Sequence, residues 1–361
     1  MTATIPSGPR PTIDGAATVE AVMATLDTHR RGRRREHRSA MTRVGLATLV
    51  AAGLYLTLGE YWVPIGDLVP ALRDELGTES HVLRNLRLPR LVIALCAGAS
   101  FGAAGALLQS LARNPLASPD IIGINAGASA AGVVAIVVWR GTSATVSLAA
   151  AVGALGVALL VNLFGRRGGL SVERMVLAGV ALGALATAVT SYLWARASMF
   201  EAQRANAWLT GSLVGRDWDE ARVSALAALA LLPAAALVAR PLSTLFVVGD
   251  EASAAIGVGV NRLRTRVLVV AACLAAGATA TTGPVPFVAL LAPAIAQRLA
   301  AQPVNLGLSA AIGALLLILA DLAARLVLLP AEIPVGVVTG LVGAPYLGLL
   351  LVGASRRGGV A

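Results

Sequence analysis

The sequence predicts an all-α polytopic membrane protein of about ten transmembrane helices with both termini in the cytosol. Three observations carry that expectation. Of the 361 residues, 57% are hydrophobic and 13% charged, with a mean hydropathy of +0.78; a soluble domain is close to half apolar and a quarter charged. Apolar segments long enough to cross a hydrocarbon core of about 30 Å recur from residue 44 to the C-terminus. The arginines, which account for all 29 of the Lys and Arg residues, fall mainly on one side of the topology these segments define.

Taken in order, residues 1–40 read as a basic, mostly disordered cytoplasmic tail. It carries the cluster Arg30, Arg31, Arg33, Arg34, Arg35 and Arg38 just before the first apolar run. The polar stretch is too long and too mixed for a signal peptide, so the cluster acts as a cytosolic stop, with contact to anionic lipid as the alternative. A transmembrane domain then spans residues 41–356. Its apolar segments fall at 44–60, 90–111, 120–138, 145–164, 172–194, 222–239, 266–282, 286–300, 306–329 and 335–353. The eighth is short and marked by proline. Two connections exceed what a turn needs: 61–89 outside and 240–265 inside.

The arginine count tests this arrangement. Nineteen lie inside, from Arg10 through Arg166 and Arg167 to Arg357, against ten outside. Without the tail the division is 11 to 10, so the tail supplies most of the orientation signal. Glycine pairs at GxxxG spacing (98/102, 123/127, 179/183, 336/340) let helix backbones approach closely.

The chemistry such a chain offers is limited. No GxxxxGK[ST] loop occurs, so ATP is not bound by that route; the nearest glycine-rich piece, GVGVNRLR at 257–264, has no lysine. HExxH and GxSxG are absent, and the three histidines (His29, His37, His81) lie outside the apolar runs. Cys96 and Cys273 provide neither a disulfide framework nor metal-ligand spacing. No catalytic residue, metal or cofactor is expected. The net charge of +10 follows from topology rather than from a nucleic-acid partner.

Ionisable groups at membrane depth are functional candidates. Here they are Glu173 with Arg174, and Asp321 with Arg325. The second pair is four residues apart with the anion first, the order a helical ion pair favours. Few intramembrane carboxylates means little support for a proton relay. The turn Asn114–Pro119 holds Pro115 and Pro119, which break a helix, beside Asn114 and Ser118, which cap backbone groups. One placement is unexplained by the residues alone. In LRLPRL (86–91), Pro89 suits a first helical turn, yet Arg87 and Arg90 sit where the helix dipole disfavours cations.

Four stretches in order carry a resemblance over about residues 44–354. They are LRLPRLVIALCAGASFGAAGALLQSLARNPLASPDIIGINAGA from Leu86, GDEASAAIGVGVNRLRTR from Gly249, TGPVPFVALLAPAIAQRL from Thr282, and LADLAARLVLLPAEIPVGVVTGLVGAPYLGLLL from Leu319. The chain resembles the iron-siderophore, haem and cobalamin (FecCD-type) permease family of binding-protein-dependent ABC importers. The resemblance implies a BtuC-like type II ABC importer permease fold in the cytoplasmic membrane of a bacterium. It also implies a dimer with a second copy or a paralogue, ABC ATPase subunits beneath it, and an extracytoplasmic substrate-binding protein above it. ATP hydrolysis belongs to the partner, so the chain itself is not an enzyme.

By the same resemblance the loop at about 249–265 forms two short coupling helices that dock on the ATPase, through Gly249, Asp250, Glu251, Ala252, Gly257, Val258 and Arg262, with Gly257 and Gly259 giving tight turns. Arg87, Arg90 and Arg325 receive acidic residues of the binding protein, and residues 177–194 and 335–351 line the path. Relatives commonly have Pro-His where this chain has Pro293-Ala294, a departure that suits siderophore branches. A ferric siderophore is the expected cargo. Haem and cobalamin are the alternatives within the class, and an ion-coupled secondary transporter is the alternative outside it.

Overall fold

A computed structural model of the chain describes residues 15–165, 172–300, 302, 304–328 and 331–358. Arg10, Arg166 and Arg167, counted above toward orientation, lie outside the described residues. Every regular element among the described residues is helical. In chain order they are α1 (Gly15–Thr57), α2 (Leu68–Leu72), α3 (Gly77–His81), α4 (Leu88–Ala112), α5 (Ile124–Val137), α6 (Ser143–Gly165) and α7 (Val172–Arg196). There follow α8 (Met199–Leu209), α9 (Trp218–Val248), α10 (Asp250–Ala255), α11 (Val260–Thr282), α12 (Val288–Leu299), α13 (Leu306–Leu326) and α14 (Val335–Gly358).

Among the described residues seven helical stretches are long and apolar enough to cross a membrane; the shorter apolar helices Ile124–Val137 and Val288–Leu299 and the apolar part of α14 accompany them. Each of the ten apolar segments of the sequence thus has a helix. Two of these helices, α5 and α12, are short, where the sequence marks only the eighth segment as short. At about 1.5 Å per residue, the 12 residues of α12 rise only about 18 Å, well short of the hydrocarbon thickness. The chain ahead of α12, 283–287, is non-helical, and Phe287 adopts a left-handed conformation (φ 66°). Such backbone survives at that depth only where protein surrounds it. Here Ser212 N–H donates to Thr282 O at 2.8 Å and Gly336 N–H to Gly211 O at 3.1 Å, closing the outer segments around it.

Two expectations are corrected. The tail, expected to be mostly disordered over residues 1–40, is helical from Gly15 and runs unbroken into the first span. Between Gly15 and Thr57 there is no proline, and Ala, Leu, Met, Glu and Arg, all good helix formers, recur. The outer connection 61–89 is also largely helical: a short π-helical stretch, Val82–Arg87, joins α3 to α4 in one apolar rod, Gly77–Ala112. Arg87 and Arg90 are therefore inside a helix, ten or more residues from its start, and the dipole objection to them disappears.

The core sits around α4, whose apolar stretch is 78% buried, against 11% for α7 at the periphery. Helices α9, α11, α12 and α13 enclose α4. Its contact with α13 is backbone to backbone: a Cβ added at Gly98 would lie 2.5 Å from Gly313 O, and one at Gly313 would lie 2.2 Å from Gly98 O. The glycines at 98 and 102 thus serve packing within the subunit.

Candidate functional site

Two charged constellations stand out, one at each predicted face. The outer one joins α1, α4 and α13. Asp321, on the penultimate turn of α13, is fully buried. Arg90 of α4 meets it side-on, Nε to Oδ2 and Nη2 to Oδ1, both at 2.8 Å. The Tyr55 hydroxyl of α1 donates to the same carboxylate at 2.5 Å. The remaining Arg90 nitrogen, Nη1, reaches Glu332 in the α13–α14 connection at 2.8 Å. Arg325 lies with its guanidinium 3.8 Å from the centre of the Tyr55 ring and donates to Tyr55 O at 3.2 Å. Arg87 donates to the carbonyls of Leu56 and Tyr61 where α1 ends.

Arg90 is fully paired in this arrangement, whereas Arg325 Nε is buried without a hydrogen-bond partner among the described residues. A planar guanidinium satisfies both carboxylate oxygens, and the third member of the fork is occupied as well. Charges taken from water are tolerated only with pairing of this quality. The predicted Asp321–Arg325 ion pair is a marginal contact of 4.0 Å, because Arg90 has already taken the carboxylate. The predicted landing arginines are brought together, yet they are not outward-facing. Arg87, Arg90 and Arg325 are 4%, 7% and 6% exposed. The reason is that helix α3–α4 passes alongside the end of α1 instead of starting at the surface. Tyr55 and Glu332 were missed by sequence reasoning. A tyrosine in an apolar run and a glutamate in a Pro-rich loop carry no local signal, since their partners are 266 and 242 residues away.

At the predicted cytosolic face, one short helix, α10, replaces the two expected between 249 and 264; the second half is the first turns of α11. Nothing in VNRLRTR interrupts a helix, so it continues directly into the membrane span. Gly249 (φ 90°) and Gly257 (φ 88°) bound α10 in backbone conformations that glycine alone adopts without strain. Gly259, expected to share that task, has an ordinary φ of −72°. Asp250 is the hub: its Oδ2 lies 2.6 Å from Arg264 Nη2 and its Oδ1 lies 3.4 Å from Arg113 Nη2. Arg113 also donates to Leu245 O at 2.8 Å, so the ends of α4, α9 and α11 meet on α10.

The turn that follows Arg113 is held locally. Asn114 Oδ1 accepts from Leu116 N–H at 2.9 Å, while Pro115 and Pro119 keep the chain out of helix until Gly123. Glu251, Ala252, Gly257 and Arg262 are exposed and Val258 is half-buried. Beside them Val247 (68%) and Ile256 (66%) present apolar surface to solvent. Helix α7, expected with α14 to line a path, is peripheral in the single chain and leaves Leu177 and Leu185 largely exposed. Among the described residues no group of His, Cys, Asp or Glu is arranged to hold a metal.

Comparison with known proteins places these features. The FecCD transport family model matches residues 47–353. The ferric enterobactin transport system permease protein FepG of Escherichia coli K12 is 38% identical over 315 residues, covering 86% of this chain and 95% of that protein. The Fe(3+)-citrate import system permease protein YfmE of Bacillus subtilis is 35% identical over 322 residues, 86% and 96% of the two chains. The vitamin B12 import system permease protein BtuC of Vibrio cholerae is 36% identical over 335 residues, 91% and 98%. Among solved structures, a metal-chelate type ABC transporter in an inward-facing conformation superposes with a TM-score of 0.75 at 26% identity, over 87% of this chain and 99% of that one. With a family model matching residues 47–353 and relatives of this similarity along nearly their full length, the chain belongs to the FecCD transport family.

Proposed function

We propose that this chain is the transmembrane permease subunit of a bacterial ABC importer, that it works as a dimer, and that its cargo is a ferric siderophore. Family membership supports the importer role, and the relatives named for enterobactin and ferric citrate favour an iron chelate over vitamin B12. The structural observation that carries the reading is α10, an exposed six-residue helix bounded by two positive-φ glycines and tied through Asp250 to the ends of three core helices. An ATPase docked on Val247, Ile256 and the exposed face of α10 moves those helix ends together.

The test is uptake of an iron-labelled siderophore into vesicles holding the permease, an ATPase and a binding protein. Uptake is expected to stop when the ATPase's phosphate-loop lysine is replaced and to continue with a proton uncoupler. The reverse result overturns the reading in favour of ion-coupled transport.

For the outer face, contact between the binding protein and Arg87, Arg90 and Arg325 requires that its carboxylates displace Glu332 from Arg90. Glu332→Gln is then expected to tighten the binding protein several-fold, measured as the concentration giving half-maximal ATPase stimulation. If the cluster serves the fold alone, that concentration stays where it was.

A further inference from the structure

Helix α1 carries a feature that lies outside the family-matched segment, residues 47–353. Its cytosolic extension places Arg31, Arg34, Arg35 and Arg38 at the i, i+3, i+4, i+7 spacing of a single helical face. All four are exposed, with Gly32 between them, and form one open basic face. None of the four has an ion-pair partner among the described residues. Glu36, the acidic residue within this stretch, points away: at about 100° per residue it is roughly 140° round the helix from Arg31.

The direction of that face is fixed by the rest of α1. Its buried stripe is Ala40, Val44, Ala51 and Tyr55, which packs on α12 and α13. By the same angular count the four arginines lie on the opposite side. They are instead collinear with the lipid-facing side chains Leu46 (62% exposed) and Leu49 (71% exposed). Arg35 is eleven residues before Leu46 and Arg38 eleven before Leu49; eleven residues is about three turns, so each arginine sits directly below one leucine. Whatever covers those leucines presents its polar end to the arginines.

We propose that this face binds the phosphate headgroups of anionic phospholipids in the cytoplasmic leaflet, an annular contact on the outer rim of the permease. Depth agrees with that assignment. Ala40 is the first buried apolar residue, and at about 1.5 Å per residue Arg38, Arg35 and Arg34 lie about 3, 8 and 9 Å beyond it, with Arg31 at about 14 Å. The headgroup layer is about 5–7 Å thick and its field reaches about another 8 Å. Arg38 is therefore immersed, Arg35 and Arg34 are within the field, and Arg31 is at its limit. A partner ATPase sits beneath the helix ends gathered at α10, whereas this face points away from the helices α1 packs against.

The experiment uses the full chain in phosphatidylcholine vesicles containing spin-labelled phosphatidylglycerol or phosphatidylcholine, with the two labels compared for residence on the protein. The native chain is expected to prefer phosphatidylglycerol about five-fold or more, the effect of roughly one arginine in reach. That preference falls toward unity in about 1 M salt, where screening is nearly complete. Arg38→Gln is expected to lose more of it than Arg31→Gln, the triple variant R34Q/R35Q/R38Q most of it, and R34K/R35K/R38K little. Equal preference in the native chain and the triple glutamine variant overturns the proposal. So does an equal loss in Arg31→Gln and Arg38→Gln, because position along the helix then plays no part in the contact. The single variants leave enough positive charge for insertion, so the comparison holds even where the triple variant fails to assemble.

Discussion

Arg90 shows how much one side chain can settle. Its five donors, presented in a fixed plane, hold Asp321 by two parallel bonds and Glu332 by a third, and so tie α4 to α13 and to the connection beyond it. Removing one partner of a buried pair leaves the other charge stranded, a loss of about 3–5 kcal/mol. Asp321→Asn is thus expected to lower the thermal midpoint of the purified protein strongly. The double variant Asp321→Asn with Arg90→Gln is expected to be less destabilised than the sum of the two single changes, as a double-mutant cycle in detergent measures. The residues themselves were legible in the sequence: Arg87, Arg90, Asp321 and Arg325 stand out because charge is scarce in apolar runs. Their burial was not. It depends on Tyr55, 266 residues from Asp321, and on a helix that begins at Gly77 instead of beside Pro89.

At the level of elements, α10 depends on its two bounding glycines. Gly257 has φ 88°, a region β-branched residues avoid, and a Cβ there meets nothing within 4 Å. Gly257→Val therefore strains the backbone without a clash. It is expected to reduce ATP-dependent uptake by tenfold or more while membrane abundance, read by immunoblot, stays normal. Gly98→Leu acts differently. Its side chain would drive α4 from Gly313, and abundance itself is expected to fall. Elements of simple character were readable: uninterrupted apolar runs gave α6, α7, α11 and α13 to within a few residues at most ends, α11 excepted at its start. Those that were not readable draw on other chain segments. The outer stretch 61–89 reads as loop by composition, yet its helices α2 and α3 pack on a π-helical turn that itself contacts α1. The resemblance implies two coupling helices, with Gly257 and Gly259 both giving turns, yet of the two only Gly257 has a positive φ and α11 takes up the second half.

The whole molecule has a central helix and a ring around it. Burial of α4 on nearly every side, with α7 left to lipid or to a second copy, is what a half of a two-subunit pathway looks like when viewed alone. The span of α4 is no more apolar than those of α6 and α13, yet it is the most buried, which composition could not reveal. The bond between Arg90 and Asp321 spans 231 residues of chain. At about 5–20 residues per second, a ribosome needs roughly 12–46 s to deliver the carboxylate after the guanidinium has appeared. Throughout that interval α4 is in or near the bilayer with an uncompensated cation, which translocon insertion scales put at about 2.5–3.5 kcal/mol at mid-helix. A chain ended after Leu299 never receives α13, and it is expected to be degraded faster than one ended after Gly358, as pulse-chase labelling would show. That outcome would make the ion pair of the finished permease a checkpoint in its synthesis as well, with the last third of the chain deciding whether the first third stays in the membrane.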